Sequence, residues 1–220
     1  MPSRVPPLAA LAAALLAVAV LSACAPDPWQ QPRVDAGAVG APGEGFHPDD
    51  APAPEATVDP VAGSWEGVRP APGYRVVLLT AGDDAPTATL TDAVASWAEK
   101  EQVTLRTVRA DDDALGGIVE AMELQPNLII SAGAPLIDPL ALVSASHLDV
   151  PFLVLGAELP EPTSNVTAVE WNGAGYRGEG LVTSTEYDPA TFTPERSASA
   201  VHAGVTAVLT GLTGVVIWID

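Results

Sequence analysis

From residue 73 onward the chain alternates between short apolar runs and amphipathic stretches. Residues 74–80 (YRVVLLT) form a continuous apolar run, the pattern of a strand buried on both faces of a sheet. In residues 89–102, Leu90, Ala93, Val94 and Trp97 recur at helical spacing, and Thr89 and Asp92, three apart, predict the helix start. Residues 103–109 read as a second strand. Asp113 is placed to cap a helix with an inner stripe of Leu115, Ile118, Val119 and Met122, and Pro126 stops its continuation. The rhythm then repeats, with strands at 127–131 (NLIIS), 152–155 and 166–171 and a helix at 136–148. Residues 181–192 show no period. Pro194 opens a last helix with Val201, Val205, Val208, Leu209 and Leu212 on one side, Gly214 ends it, and residues 215–220 close the chain as a strand. Strands separated by helices imply right-handed crossovers. The expected fold class is therefore α/β: one three-layer lobe at residues 74–220, a mainly parallel sheet with helices on both faces.

Residues 24–73 break this rhythm. Ten prolines and eight acidic residues stand among few aliphatics, with neither helical nor strand period. Such a composition predicts a disordered, polyproline-like tether, with Trp29, Phe46 and Trp65 as solvent-exposed aromatics.

The first 23 residues carry a different signal. Arg4 supplies a positive charge, residues 8–21 are an uninterrupted apolar run, and Leu21-Ser22-Ala23 leads into Cys24, the single cysteine. Fourteen apolar residues fall short of the roughly 20 that span a bilayer. The pattern resembles a bacterial lipoprotein signal peptide, which implies cleavage before Cys24 and lipidation of its thiol. Two acyl chains would anchor the protein stably on the extracytoplasmic face of the cell membrane.

Charge narrows the partners. With 28 acidic against 9 basic residues the chain carries a formal −19, which repels phosphate backbones and excludes nucleic acid as an expected partner. Catalysis is not expected either. There is no G-x-S-x-G elbow, Cys24 is assigned to lipid, and His47, His147 and His202 are scattered, so no metal or other cofactor is predicted. The run GAGYRGEG at 173–180 fits the G-x-G-x-x-G spacing of dinucleotide sites. However, the β-branched residues and Pro189 that follow are poor material for the helix such a site requires.

Residues 74–86 (YRVVLLTAGDDAP), 126–156 (PNLIISAGAPLIDPLALVSASHLDVPFLVLG) and 165–181 (NVTAVEWNGAGYRGEGL) together resemble the first lobe of the basic membrane protein family of substrate-binding lipoproteins. The likeness rests on Gly133, on the run 150–156, on Asn165-Val166 and on Gly173 to Gly178. It implies one lobe of a type 1 periplasmic-binding-protein fold and a solute-binding role beside an ABC-type uptake system. In that frame the 173–178 glycines let the chain leave the sheet edge toward the interlobe hinge. The sequence departs from the family in two ways. Ala85-Pro86-Thr87 follows Asp83-Asp84 where nucleoside binders carry a base-stacking aromatic, and only one wall of a two-lobed cleft is encoded. The strand at 215–220 is then expected to join the same sheet or pair with another molecule, and a homodimer could complete the cleft.

In open α/β sheets, ligands lie beyond the carboxyl ends of the strands. The candidate ligand-binding residues are therefore Asp83, Asp84, Gly133, Glu158 and Asn172. Asp111, Asp112 and Asp113 add to an acidic edge suited to a cationic ligand, although carboxylates beside helix starts also serve as caps. The partners expected are the membrane, through lipid on Cys24, and a small solute. The alternative is an envelope interaction or scaffold lipoprotein that binds no small molecule. Cys24→Ser should move the protein from the membrane fraction to the soluble fraction; a variant that stays membrane-bound would remove the lipid-anchor reading.

Overall fold

The computed structural model describes residues 27–181 and 183–220. The signal peptide and Cys24 lie outside the described residues. The chain divides into two compact units, residues 1–32 and 33–220. In the first, Pro28–Gln30 forms a single 3-10 turn, with Asp27 Oδ1 accepting from the Trp29 amide at 3.0 Å.

The second unit begins with three short strands, β1 (Ala38–Gly40), β2 (Thr57–Val58) and β3 (Val68–Pro70). An α/β alternation follows: β4 (Arg75–Thr80), α1 (Ala85–Lys100), β5 (Thr104–Arg109), α2 (Ala114–Glu123), β6 (Leu128–Ala132), α3 (Ile137–Ser144), β7 (Phe152–Leu155), β8 (Val166–Glu170), α4 (Pro194–Leu209) and β9 (Val216–Trp218). Seven strands form one sheet in the order β2-β9-β8-β7-β6-β4-β5, and every pairing is parallel. The expected α/β class is thus observed. The direction of strand addition reverses between β4 and β6, the switch point of the sheet.

All residues of β4, β6, β7 and β8 are buried, as continuous apolar runs require in a sheet covered on both faces. Val76, Leu78, Leu128, Ile130, Leu153, Leu155, Val169 and Ile217 share one core with Leu90, Val94 and Trp97 of α1 and Ala200, Val201 and Val205 of α4. The helices start on local signals. Asp84, Asp113 and Thr193 each accept a hydrogen bond from an amide three residues on, satisfying donors that a helix start leaves free. Because Asp84 is the cap, α1 starts at Ala85, four residues before the Thr89 expected from the sequence. Asn165 ties the start of β8 to the turns after α3: its Nδ2 donates to the carbonyls of Ser144, His147 and Val150 at 3.2, 3.0 and 3.0 Å.

Two expectations are corrected. On α2 the inward stripe is Gly117, Ile118 and Ala121, while Leu115 and Val119 are 49% and 44% exposed. The reason is steric: Gly117 passes so close to the residue after β5 that a Cβ there would lie 2.5 Å from that of Ala110, which turns the larger residues outward.

The second correction is that residues 33–73 are not a free tether. Phe46 is fully buried, Trp65 is 7% exposed, and both belong to the core cluster on the α1/α4 side, together with Ala36 and Val58. β2 extends the sheet by pairing with β9, β1 pairs with β3, and Thr206 Oγ1 of α4 donates to the Trp65 carbonyl at 3.1 Å. Composition misled because a segment too poor in apolar residues to fold alone can still be ordered by a few large side chains docked on an existing core. The closing strand, in turn, joins the sheet between β8 and β2.

Phe46→Ala should lower stability by about 3–5 kcal/mol, the range for deleting a fully buried aromatic. Chemical denaturation that finds a loss below about 1 kcal/mol would restore the tether reading.

Candidate functional site at the carboxyl edge of the sheet

The carboxyl ends of β4, β6, β7 and β8 bring the sequence-derived residues to one edge, where they do different things. Asp84 is held by Thr87: Oδ1 accepts from its amide at 3.0 Å and Oδ2 from its hydroxyl at 2.8 Å. Gly133, at φ 77°, packs against the same threonine, and a Cβ there would lie 3.1 Å from Thr87 Oγ1. Asp83 is exposed. Asp111 turns back to the edge: its Oδ1 accepts from the Gly82 amide at 2.8 Å and its carboxylate pairs with Arg109 at 2.9 Å, contacts that hold its pKa below the usual range. Asp113 caps α2. Much of the acidic edge therefore serves capping and loop closure.

Glu158 differs. It is 8% exposed, with Oε1 3.3 Å from Arg177 Nε, and burial raises its pKa against the opposing pull of that arginine. Beside it, Glu170 ends β8 only 1% exposed. Ser184 Oγ donates to Glu170 Oε2 at 2.9 Å, and Oε1 meets no hydrogen-bond partner among the described residues. Burial first, and the neighbouring Glu158 charge second, raise the Glu170 pKa to about 8, so at neutral pH this carboxyl is mostly protonated. Sequence reasoning missed Glu170. The available signal was a charged residue ending the otherwise apolar run NVTAVEW.

The connection from 172 to 188 folds back over this edge, and the glycine-rich run serves that path. A Cβ on Gly173 would lie 2.6 Å from Thr191, and one on Gly175 would lie 2.5 Å from the Thr185 amide nitrogen. The Gly173 amide donates to Thr185 Oγ1 at 3.1 Å and the Asp188 amide donates to the Gly173 carbonyl at 2.9 Å. The Tyr176 hydroxyl and the Glu179 amide both donate to Asp138 of α3, each at 3.1 Å. Only a single 3-10 turn, Pro189–Thr191, stands between the glycines and α4 among the described residues, and it does not start on the last glycine, so the geometry of a dinucleotide site is missing.

Against this connection lies a hollow of about 430 Å³ lined by Asn172, Gly173, Glu186, Tyr187, Asp188 and Thr191. Tyr187 is 48% exposed and leans on Phe192 at 5.9 Å between ring centroids. Burial first and the Asp84 charge second raise the Tyr187 pKa. Of the sequence-derived ligand residues the hollow holds Asn172, beside an aromatic wall and the carboxylates of Glu186 and Asp188. Among the described residues no group of three or more His, Cys, Asp or Glu is arranged to hold a metal ion, and no helix is long and apolar enough to cross a membrane.

No protein-family model and no curated protein matches the chain. Among solved structures it is similar to an ABC transporter system solute-binding protein from Aeropyrum pernix K1, at 16% identity and TM-score 0.39 over 46% of this chain and 29% of that one. A similar protein from Conexibacter woesei DSM 14684 aligns at 17% identity and TM-score 0.38 over 45% of this chain and 35% of that one. The chain thus spans about a third of the length of these two proteins. A fragment described as a "putative lipoprotein" from Peptoclostridium difficile 630 aligns at 18% identity and TM-score 0.45, over 62% of this chain and 98% of that one.

The raised Glu170 pKa sets a pH dependence. Between its ordinary 4.5 and about 8, the folded state holds a proton that the unfolded state releases, so its contribution to stability falls as pH rises through that window. The melting temperature of the Glu170→Gln variant should accordingly fall less than that of the parent between pH 5 and 8.5. Equal slopes would show that Glu170 ionises in the folded protein as it does in water.

Proposed function

We propose that this is a lipid-anchored, extracytoplasmic protein whose lobe captures a small solute, as the binding component of an ABC-type uptake system does. The observation that carries this reading is the hollow at the carboxyl edge. It lies beyond the carboxyl end of β8, on the edge of the sheet where α/β folds carry their ligands, and it combines an amide side chain, an aromatic ring and carboxylates. Its lining holds Glu186 and Asp188 and no arginine or lysine, so the solute class it fits best carries a positive charge that Tyr187 can also face. Nothing in this arrangement requires a reaction. The basic membrane protein family is the specific lineage proposed, on the residues quoted for the resemblance, with the lipid on Cys24 as the link to the membrane.

A scaffold role in the envelope has its own support. Leu115 and Val119 on α2, Leu142 on α3 and Leu148 just after it are 49%, 44%, 75% and 58% exposed, an apolar surface that a protein partner could cover.

The two readings separate in a thermal-shift screen of nucleosides, sugars, polyamines and divalent cations on the full chain in detergent. A ligand at about 100 times its Kd should stabilise by about 2.7 kcal/mol. The expected outcome is a cationic hit that is lost in Tyr187→Ala and in Asn172→Ala. A screen without hits would favour the scaffold role.

A further inference from the structure

A second concave site lies on the outer side of the α1/α4 layer, between the C-terminal end of α1, the middle of α4 and the chain around β3. It encloses about 590 Å³, and its walls include Trp65, Glu66, Arg69, Lys100, Glu101 and His202. That volume falls in the range of small-molecule sites. It shares no lining residue with the hollow at the carboxyl edge.

The charge of this groove is unlike that of the rest of the molecule. In a chain with 9 basic and 28 acidic residues, two cations meet here with two carboxylates, and one of those cations is the only lysine. Elsewhere the arginines are engaged: Arg109 with Asp111, Arg177 with Glu158, and Arg33 and Arg196 with backbone carbonyls. In the groove, the Arg69 side chain makes no ion pair or hydrogen bond among the described residues. Lys100 reaches Glu101 only at 3.9 Å and keeps 70% of its side chain exposed. The Glu101 side chain is the sheltered member at 15%.

The walls are also fixed in place. Trp65 is 7% exposed and its carbonyl accepts from Thr206 of α4. His202 is half-buried. Burial first and Lys100 second lower its pKa, against the opposite effects of Glu101 and Glu66, which leaves a neutral imidazole in the wall at neutral pH.

These observations select a ligand by elimination. A dianion would meet Glu66 and Glu101 inside a molecule of net charge −19. A dication would meet Arg69 and Lys100. A solute bearing one charge of each sign gives every charged wall a partner. The structure assigns this groove to a small zwitterion of the amino-acid class, its carboxylate toward Arg69 and Lys100 and its ammonium toward Glu66 and Glu101.

Isothermal titration of the full chain in detergent with L-glutamine, L-leucine and L-tryptophan, and with succinate and 1,4-diaminobutane as singly signed probes, tests this. At least one amino acid should bind. Its affinity should fall tenfold or more in each of Arg69→Ala, Lys100→Ala and Glu66→Gln and stay unchanged in Asn172→Ala. All three groove residues are solvent-exposed, so the variants should melt as the parent does. The assignment is overturned if no amino acid binds, if succinate or 1,4-diaminobutane competes equally, or if the three groove variants bind as the parent does. Loss of binding in Asn172→Ala alone would also overturn it, moving the solute to the carboxyl edge and leaving the proposed function intact. A cationic solute lost only in Tyr187→Ala and Asn172→Ala would likewise support that function without supporting the groove.

Discussion

A parallel sheet has no face that can be left to water, and this constraint organises the rest of the molecule. Seven parallel strands need cover on both sides, while the chain supplies four helices among its described residues. Residues 33–73 complete the cover on the α1/α4 side, where Phe46, Trp65 and Val58 enter the core. The connection 172–188 closes the carboxyl edge, pinned to Asp138 of α3 and to Glu170. The irregular parts of the chain are therefore structural, and both concave sites arise where they meet the regular layers. The carboxyl-edge hollow is bounded by the 172–188 connection, and the groove by the segment leading through β3.

The strands were legible because burial on both faces leaves the strongest sequence signal a strand can have. The runs 74–80 and 152–155 were enough to place β4 and β7 within a residue. The α1 start was read four residues late because Thr89-x-x-Asp92 imitates a start box, while the true cap, Asp84, precedes a proline well suited to a first turn. The α2 stripe was misread for a different reason. Helical periodicity names which residues share a face, whereas the close approach at Gly117 decides which face turns inward, and that is a tertiary fact.

The candidate site was half legible. Position relative to the strand ends pointed to Asp84, Gly133, Glu158 and Asn172, and the structure gathers them along one edge. Sequence could not distribute the roles, because a capping carboxylate and a ligand carboxylate are the same residue in the same loop. Asp84 is engaged by Thr87 at 3.0 and 2.8 Å, yet it still stands close enough to Tyr187 to affect it electrostatically. Glu170 and Tyr187 come from the end of a strand and from an aperiodic loop, where no pattern marks them.

The distribution of charge argues that the two concave sites differ in kind. A net −19 attracts cations over the whole surface, and the carboxyl-edge hollow adds to that field without local opposition. The groove works against it: Arg69 and Lys100 interrupt the negative surface beside a sheltered Glu101 and a neutral His202. Solvent screening attenuates the long-range attraction within about 10 Å at 0.1 M salt. Binding of a cation at the edge should therefore weaken with salt more than binding of a zwitterion in the groove, because a solute without net charge draws little on the net charge of the whole molecule.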